Sequence, residues 1–312
     1  MMTFGGVIPI LATPFHQDET LDLDSWARLL EFMVGLGVDG VTILGVLGES
    51  NRLTDRERET LVENAVRIVK TRVPIVVGTS HSGTHAAKYL ARMAQDLGAD
   101  AVMVTPGKEP VPNDDRIVEA YQRIADGLAI PIVLQDHPAS TDVHLSVPAI
   151  GRLLREVPAI QCLKAEAVPT APKIRQLRAD FADRPLPILT GLGALYAPFD
   201  LEAGSDGFNT GFAFPEVLMA MVTAARARGW QRVHELYSRF AALIVFEQQP
   251  GVAVRKEILR RRGLFTSARA RHPGATITPS MAAHLESLLS RTLPGVDLTR
   301  PIAVEDDVVS RR

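Results

Sequence analysis

The sequence predicts an α/β fold, a (β/α)8 barrel of the TIM type followed by a helical extension. Short apolar runs alternate with amphipathic segments along most of the chain, as in a parallel sheet covered by helices. Eight such strand-then-helix units of roughly 25–30 residues each match the repeat of this barrel. The first run leads into Thr13-Pro14-Phe15-His16 and not into the glycine-rich turn of a doubly wound sheet.

The strands are assigned to apolar runs bounded by turn residues or by helices. In chain order they are predicted at residues 6–12, 40–44, 74–79, 101–104, 131–135, 160–164, 187–190 and 207–210. The segments between them show the periodicity of helices with one buried face. These helices are predicted at residues 21–35, 54–70, 85–98, 115–128, 146–156, 171–181 and 195–201.

Polar residues mark the beginnings of two of these helices. Asp24 is predicted to cap the helix at 21–35, because a carboxylate can accept the free N–H groups of a first turn. Thr54 precedes Glu57 by three residues, which is the spacing of a capping box.

After residue 210 the pattern changes to helices without strands between them, predicted at residues 215–228, 231–246, 251–262 and 280–291. Arg260-Arg261-Arg262 is interpreted as a solvated helix end. Residues 1–212 are therefore assigned to the barrel, 213–293 to a C-terminal helical extension, and 294–312 to a mobile tail with little to pack.

Composition excludes several classes of function. The 312 residues carry 34 basic and 36 acidic side chains, a net charge of −2, which gives no electrostatic case for binding nucleic acid or an anionic membrane. No apolar run approaches the ~20 residues of a membrane span, and the first residues lack the basic segment of a signal peptide. The single cysteine, Cys162, is predicted to be a core residue of a cytoplasmic protein.

A lysine ends the sixth predicted strand, in the run Ile160-Gln161-Cys162-Leu163-Lys164-Ala165-Glu166. A buried amine is costly unless it has a partner or a function, and burial lowers its pKa, which frees the lone pair to attack a carbonyl. Residues two apart in a strand share a face, so Lys164 and Glu166 are predicted to point into the same interior. A purely structural ion pair is the alternative that this stretch leaves open.

The C-terminal ends of the strands are where barrel enzymes place their active sites. The residues predicted to converge there are Gly48, Glu49 and Ser50 after strand two, Gln135 and His137 at strand five, Lys164 and Glu166 at strand six, Gly191 after strand seven and Asn209 at strand eight. A loop histidine is more often structural than catalytic, so both interpretations of His137 stay open. No histidine-carboxylate group has metal-binding spacing, and no metal is predicted.

Several short motifs occur in a fixed order along the chain. They are Thr13-Pro14-Phe15, Gly45-x-x-Gly48-Glu49-Ser50, Gly78-Thr79, Val104-Thr105-Pro106, Pro138 after strand five, the strand-six lysine, and Val254-Arg255-Lys256 followed by residues 269–273. Together they resemble the dihydrodipicolinate synthase/N-acetylneuraminate lyase family of Schiff-base-forming barrels. Each motif is weak alone, but their order is specific, and the resemblance covers about residues 5–292.

The resemblance implies roles for individual residues. Lys164 would form a Schiff base with the ketone of a 2-oxo acid. Gly48, Glu49 and Ser50 would surround the substrate carboxylate through the Ser50 hydroxyl and backbone N–H groups, and Asn209 would line the far wall, where the family uses a backbone carbonyl. Alternatively, the glycine and its neighbours only shape a turn and a helix start.

Departures from the family pattern narrow the expected chemistry. Most members carry a proton-relaying tyrosine at the end of strand five, where this chain has Gln135, and a hydroxyl pair where it has Val46-Leu47. Ser140 stands where the lysine-biosynthesis enzymes carry an arginine. Glu166 lies two residues after the lysine, from where it could move the protons that the missing tyrosine would otherwise move.

Gln135 together with the Lys-x-Glu of strand six resembles the branch that dehydrates 2-keto-3-deoxy sugar acids such as 2-keto-3-deoxyarabonate. The sequence therefore predicts a Schiff-base lyase of this kind, with no metal or organic cofactor. The alternatives are a pyruvate-dependent aldolase of the same fold and a non-catalytic sensor relative. The predicted partner is a small 2-oxo acid, and the family resemblance suggests a homodimer or homotetramer.

Overall fold

Eight parallel strands form the central sheet of the chain, whose computed structural model describes residues 3–108, 113–183, 186–249 and 251–304. They are β1 (Gly6–Val7), β2 (Val41–Ile43), β3 (Ile75–Gly78), β4 (Ala101–Val104), β5 (Ile132–Asp136), β6 (Ile160–Ala165), β7 (Ile188–Thr190) and β8 (Gly207–Phe208). The strand order runs β1-β8-β7-β6-β5-β4-β3-β2. Beyond β1, Leu11 donates a hydrogen bond to the carbonyl of Thr42, and the Thr42 N–H donates to Pro9, both at 2.8 Å. These bonds join the two ends of the sheet and confirm the predicted barrel.

Helices surround the barrel and continue beyond it. They are α1 (Leu23–Leu36), α2 (Asp55–Val69), α3 (Thr84–Asp96), α4 (Asp114–Ala125), α5 (Pro138–Thr141), α6 (Val147–Glu156), α7 (Thr170–Asp180), α8 (Ala197–Glu202), α9 (Pro215–Arg226), α10 (Trp230–Phe246), α11 (Ala253–Arg261) and α12 (Pro279–Thr292). The capping box of Thr54 and Glu57 is present at the start of α2. Asp22, and not Asp24, caps α1, because its carboxylate accepts the N–H of Ser25 at 2.9 Å.

Apolar residues that follow β1, together with alternate residues of β3 to β7, fill the barrel interior. Ile8, Ile10, Val76, Ala101, Met103, Val133, Cys162 and Leu189 form one buried apolar cluster there. The intervening strand residues face the helices in a larger cluster. Cys162 is a buried free thiol, which confirms its prediction as a core residue.

Helix α9 follows β8 in the way that other barrel helices follow their strands. Its residues Val217 and Met221 share an apolar cluster with Val7 of β1 and Phe208 of β8, and the same cluster continues into α10 and α12. The boundary between barrel and extension at residue 212 is therefore not marked by a break in packing, and the domain division stays a prediction.

The beginning of the tail is packed, contrary to the expectation that residues 294–312 have little to pack. Ile302 is 5% exposed, and its N–H donates to Glu216 at 3.2 Å. Residues 305–312, to which the rest of that prediction applies, lie outside the described residues.

The interpretation of Arg260-Arg261-Arg262 as a solvated helix end is wrong for Arg262. Its guanidinium is buried, donates to Glu216 at 2.5 Å and lies over the rings of Phe32 and Phe214. A long cationic side chain can be buried when a carboxylate and aromatic faces replace its water.

Within the ranges that the structure describes, none of the helices is long and apolar enough to cross a membrane.

Candidate active site

Lys164 and Glu166 lie side by side at the mouth of the barrel, the end where the C-termini of the strands meet. Cys162 of β6 faces the barrel interior. Lys164 lies two residues after Cys162 and Glu166 four residues after it, so strand alternation places both on the same inward face. The Lys164 Nζ atom is 3.0 Å from Glu166 Oε2, and the two side chains are only 2% and 5% exposed. An amine and a carboxylate are therefore enclosed together at one point of the interior.

Two hydrogen bonds fix the Glu166 carboxylate. Gln135, which is in register with Lys164 across β5 and β6, donates from Nε2 to Glu166 Oε2 at 2.7 Å. The backbone N–H of Leu192 donates to Oε1 at 3.0 Å. Both oxygens are thus oriented. Leu192 contributes through its backbone N–H, so its side chain carries no signal from which this role could have been predicted.

Gly191 makes room for this carboxylate. A Cβ atom built on Gly191 would lie 2.0 Å from Glu166 Oε1 and 2.4 Å from its carboxyl carbon. Gly191 thus shapes the site by leaving space for the Glu166 carboxylate.

Burial and mutual charge set the protonation of the pair. Burial lowers the pKa of Lys164, although the Glu166 carboxylate opposes this effect. Burial by itself would raise the pKa of Glu166. Four neighbours lower it: the charge of Lys164, the imidazole of His137, and the hydrogen bonds from Gln135 and the Leu192 N–H. Their combined effect exceeds that of burial, and the Glu166 pKa lies below its usual value. Glu166 is therefore a carboxylate beside an amine that loses its proton more readily than a free lysine.

His137 lies near this pair and is the residue that precedes α5. It is half-buried, its Nδ1 is 2.7 Å from the Ser140 hydroxyl, and burial lowers its pKa, with Glu166 and Lys164 acting in opposite directions. A neutral imidazole is able to accept a proton at neutral pH. Asp136 faces the other way, 2.5 Å from Lys173 Nζ, as its strand parity predicts.

The loop after β2 offers fewer donors than predicted. The N–H of Gly48 donates to Gly45 at 2.9 Å and that of Glu49 to Val46 at 3.1 Å, so neither is available to a substrate carboxylate. The Ser50 hydroxyl is half-buried, and no described residue forms a hydrogen bond with it. Of the predicted carboxylate-binding groups, the Ser50 hydroxyl therefore remains accessible, whereas the N–H groups of Gly48 and Glu49 do not.

The Glu49 side chain turns away from the mouth, and its backbone is left-handed with φ 54°. Its Oε1 forms a buried ion pair with Lys256 of α11. Its Oε2 accepts from Arg52 Nη1 at 2.8 Å and from the Arg271 N–H at 2.9 Å. The Glu49 carboxylate therefore joins the loop to the extension, and the substrate-binding role of this residue, which was assigned to its backbone, stays a prediction.

Asn209 lies inside the barrel. Its Nδ2 donates to the carbonyl of Ile8 at 2.9 Å and to the Thr42 hydroxyl at 2.7 Å. The amide ties β8 to β1 and β2, while its buried Oδ1 has no hydrogen-bond partner among the described residues. The amide nitrogen is thus committed to the barrel wall.

No group of three or more His, Cys, Asp or Glu side chains in the described part of the chain is arranged to hold a metal ion.

The family model of the dihydrodipicolinate synthetases matches residues 3–292, from before β1 to the end of α12. The chain belongs to the dihydrodipicolinate synthetase family. Members of this family are lyases, so the chain is a lyase of this family.

Among its family relatives is a protein of Azospirillum brasilense named L-2-keto-3-deoxyarabonate dehydratase, 34% identical over 93% of this chain and 94% of that protein. The 4-hydroxy-tetrahydrodipicolinate synthase of Xanthomonas campestris pv. campestris is 32% identical over 94% of this chain and 99% of that protein. A crystal structure of dihydrodipicolinate synthase from Rhodopseudomonas palustris has a TM-score of 0.88 at 35% identity, over 92% of this chain and 97% of that chain. The fold and the family inferred from the motifs are thus confirmed.

Two residues of α11, Arg255 and Lys256, face the barrel and were not predicted as part of the site. Arg255 is 3% exposed and Lys256 is fully buried. The sequence marked them within a motif of the C-terminal section. It gave no sign that their side chains reach the loop after β2, because that contact spans about 200 positions of the chain.

Proposed function

We propose that this chain is a Schiff-base-forming lyase that removes water from a 2-keto-3-deoxy sugar acid of the 2-keto-3-deoxyarabonate type. The observation that carries the proposal is the buried contact of 3.0 Å between Lys164 Nζ and Glu166 Oε2. The relative named L-2-keto-3-deoxyarabonate dehydratase supports the substrate class, as does Gln135 at the end of β5.

Lys164 is the proposed nucleophile. Its neutral amine adds to the C2 ketone of the substrate, and the resulting carbinolamine takes up a proton and loses water to give a protonated imine. Because burial lowers the pKa of Lys164, a larger fraction of the amine is neutral at a given pH than in a free lysine. The positive imine is then stabilised by the Glu166 carboxylate beside it.

Glu166 is the proposed proton carrier. Its carboxylate takes a proton from C3, and the electron pair of the C3–H bond moves through C2 to the imine nitrogen, giving an enamine. The enamine electrons then form a C3–C4 double bond while the C4 hydroxyl departs as water with the proton returned by an acid. Glu166 is that acid in the simplest scheme, and His137 is a second titratable group near enough to influence the pKa of Glu166.

Gln135 and the Leu192 N–H hold Glu166 in place through both of its oxygens. In this proposal Gln135 also positions the leaving hydroxyl or a water, since an amide does not itself exchange a proton at neutral pH. The Ser50 hydroxyl binds the substrate carboxylate, and the backbone at Asn209 and Gly191 lines the far wall.

Product analysis tests the reaction. Purified protein incubated with 2-keto-3-deoxyarabonate is expected to give a dehydrated 2-oxo acid without free pyruvate. Lys164→Ala should abolish turnover, whereas Lys108→Ala, an exposed lysine paired with Asp142, should leave it within about twofold. Wild-type protein that turns over none of a panel of 2-keto-3-deoxy sugar acids would contradict the proposal.

A retro-aldolase is the second candidate, favoured by the relative named 4-hydroxy-tetrahydrodipicolinate synthase. It would use the same imine, but the bond between C3 and C4 of a 4-hydroxy-2-oxo acid would break, releasing pyruvate and an aldehyde. Free pyruvate in the product mixture would select this reaction. A non-catalytic sensor would show no Lys164-dependent turnover of either substrate class.

A further inference from the structure

Arg255 of α11 is a buried cation whose Nη1 group is unused. Its side chain is 4% exposed, and its Nε donates to Glu247 Oε2 at 2.9 Å. Its Nη1 is buried, and no described residue accepts a hydrogen bond from it. A buried guanidinium N–H without an acceptor costs free energy, and a bound ligand that accepts this hydrogen bond would remove that cost.

The guanidinium is held in a fixed orientation from behind. Glu247 is 1% exposed and accepts the N–H of Ala213 at 3.0 Å as well as the Nε of Arg255. Because its carboxylate is hydrogen-bonded to the backbone after β8, Glu247 restricts the orientation of the Arg255 guanidinium. The free Nη1 therefore points in a set direction.

That direction is the mouth of the barrel. Gly211 lies two residues after the inward-facing Asn209, and a Cβ built on Gly211 would lie 2.9 Å from Arg255 Nη1 and 2.6 Å from Leu47 Cδ1. Leu47 itself packs against the apolar cluster of the barrel interior. Arg255 thus reaches the rim between β8 and the loop after β2 through the space left by the missing side chain of Gly211.

The same rim offers few side-chain donors. The N–H groups of Gly48 and Glu49 are already used within the loop, and Val46 and Leu47 carry no hydroxyl. Among residues 46–50 the Ser50 hydroxyl is the one side-chain donor, whereas a bound carboxylate has about four acceptor positions.

We propose that Arg255 completes the carboxylate subsite, its free Nη1 donating to the C1 carboxylate of the 2-oxo acid that forms the imine with Lys164. This inference rests on the function proposed above and names the group that selects an acid over a neutral ketone. The apolar side chain of Leu47 shields the contact from water, which strengthens a charged hydrogen bond.

Trapping with borohydride tests the role through two probes, pyruvate and its uncharged methyl ester. In Arg255→Met the pyruvate concentration for half-maximal adduct formation should rise roughly tenfold to 100-fold, the range of one charged hydrogen bond. The value for methyl pyruvate should change by no more than about twofold. Arg260→Met on the same helix, an arginine whose side chain is 46% exposed and pairs with Glu257, is the matched control and should change neither.

A second variant separates binding from folding, because Arg255→Met also leaves Glu247 without its cation. Gly211→Ala keeps the pair of Arg255 and Glu247 but places a methyl group against Nη1. It should lose the preference for pyruvate over the ester in the same way. An acid preference unchanged in both variants would overturn this inference alone, whereas wild-type protein that traps neither probe would count against the proposed function.

Discussion

Glu166 is the residue on which the site geometry converges, because each of its oxygens has a separate partner. Oε2 contacts Lys164 and Gln135, and Oε1 accepts the Leu192 N–H. A carboxylate fixed in this way does not need to reorient when the imine forms beside it. Its lowered pKa keeps it charged in the resting site, as a group that first accepts a proton must be.

Replacing Glu166 by glutamine tests its role as proton carrier. Glu166→Gln keeps the shape and part of the hydrogen bonding but cannot accept a proton. We expect borohydride trapping of pyruvate to stay near that of the wild type, while kcat falls at least ~100-fold, the lower range for a general acid or base. Steady-state kinetics and intact mass measure the two effects separately, and a loss of only a few-fold would place the proton relay elsewhere.

Gly191→Ala tests whether the space next to Glu166 matters. The new methyl group would overlap Glu166 Oε1 and push the carboxylate out of line, so we expect turnover to fall about tenfold or more with the protein still folded. Gly35→Ala, where a Cβ would meet nothing within 4 Å, is the control and should leave kcat unchanged. Equal kcat values for the two variants would show that the position of Glu166 is not set by this glycine.

At the scale of secondary-structure elements, α11 supports the loop after β2 through Lys256. The ammonium pairs with Glu49, donates to the carbonyl of Arg269 at 2.7 Å and lies 4.4 Å from the centre of the Phe15 ring. Burial lowers its pKa to about 8, against the raising effect of Glu49. The left-handed backbone at Glu49 is thus held by a residue from a distant helix.

Lys256→Met should remove this support. It leaves the Glu49 carboxylate buried without its main cation, so we expect the free energy of unfolding to fall by about 3 kcal/mol. The double variant Glu49→Gln/Lys256→Met should recover part of the loss, because no unpaired charge remains. Lys88→Met, which breaks a more exposed pair with Asp126, should cost less than about 1 kcal/mol. Urea unfolding measures all three, and equal losses for Lys256→Met and Lys88→Met would contradict the buried-pair account.

The sequence predicted the elements better than their long-range contacts. Strand alternation placed Lys164, Glu166 and Gln135 on the interior face, since this alternation follows from the backbone alone. The burial of Lys256 and Arg262 was not predictable, because a cationic helix looks solvated until its carboxylate partners are located in space. The unavailable N–H groups of the loop also depend on a local turn that a Gly-x-x-Gly spacing does not specify.

At the scale of the whole molecule, the segment before α12 is tied back to the barrel. Arg271 donates from both terminal nitrogens to the two oxygens of Glu57 on α2, at 2.8 and 2.7 Å. Arg269 pairs with Glu19 at 2.5 Å. The extension and the barrel are thus joined by ion pairs as well as by the apolar cluster that crosses residue 212. The predicted homodimer or homotetramer stays a prediction.

The pair of Glu57 and Arg271 should make stability depend on pH. Hydrogen bonding to Arg271 is the main cause that lowers the Glu57 pKa from 4.5 to about 2. A lowered folded-state pKa contributes stability that is complete above pH 4.5 and is lost as the pH falls toward 2. The difference in unfolding free energy between wild type and Glu57→Gln should therefore shrink over this range. Glu63→Gln on the exposed side of α2 is the control, and a difference for Glu57→Gln that does not change with pH would contradict the assignment.

The identity of the reactive lysine is the central claim, and peptide mass mapping after reduction tests it most directly. Wild-type protein is incubated with pyruvate and borohydride, digested, and searched for the reduced adduct on each lysine. We predict the adduct on the peptide that contains Lys164, and none in Lys164→Ala. An unchanged mass, or an adduct on the other fully buried amine, Lys256, would contradict the account.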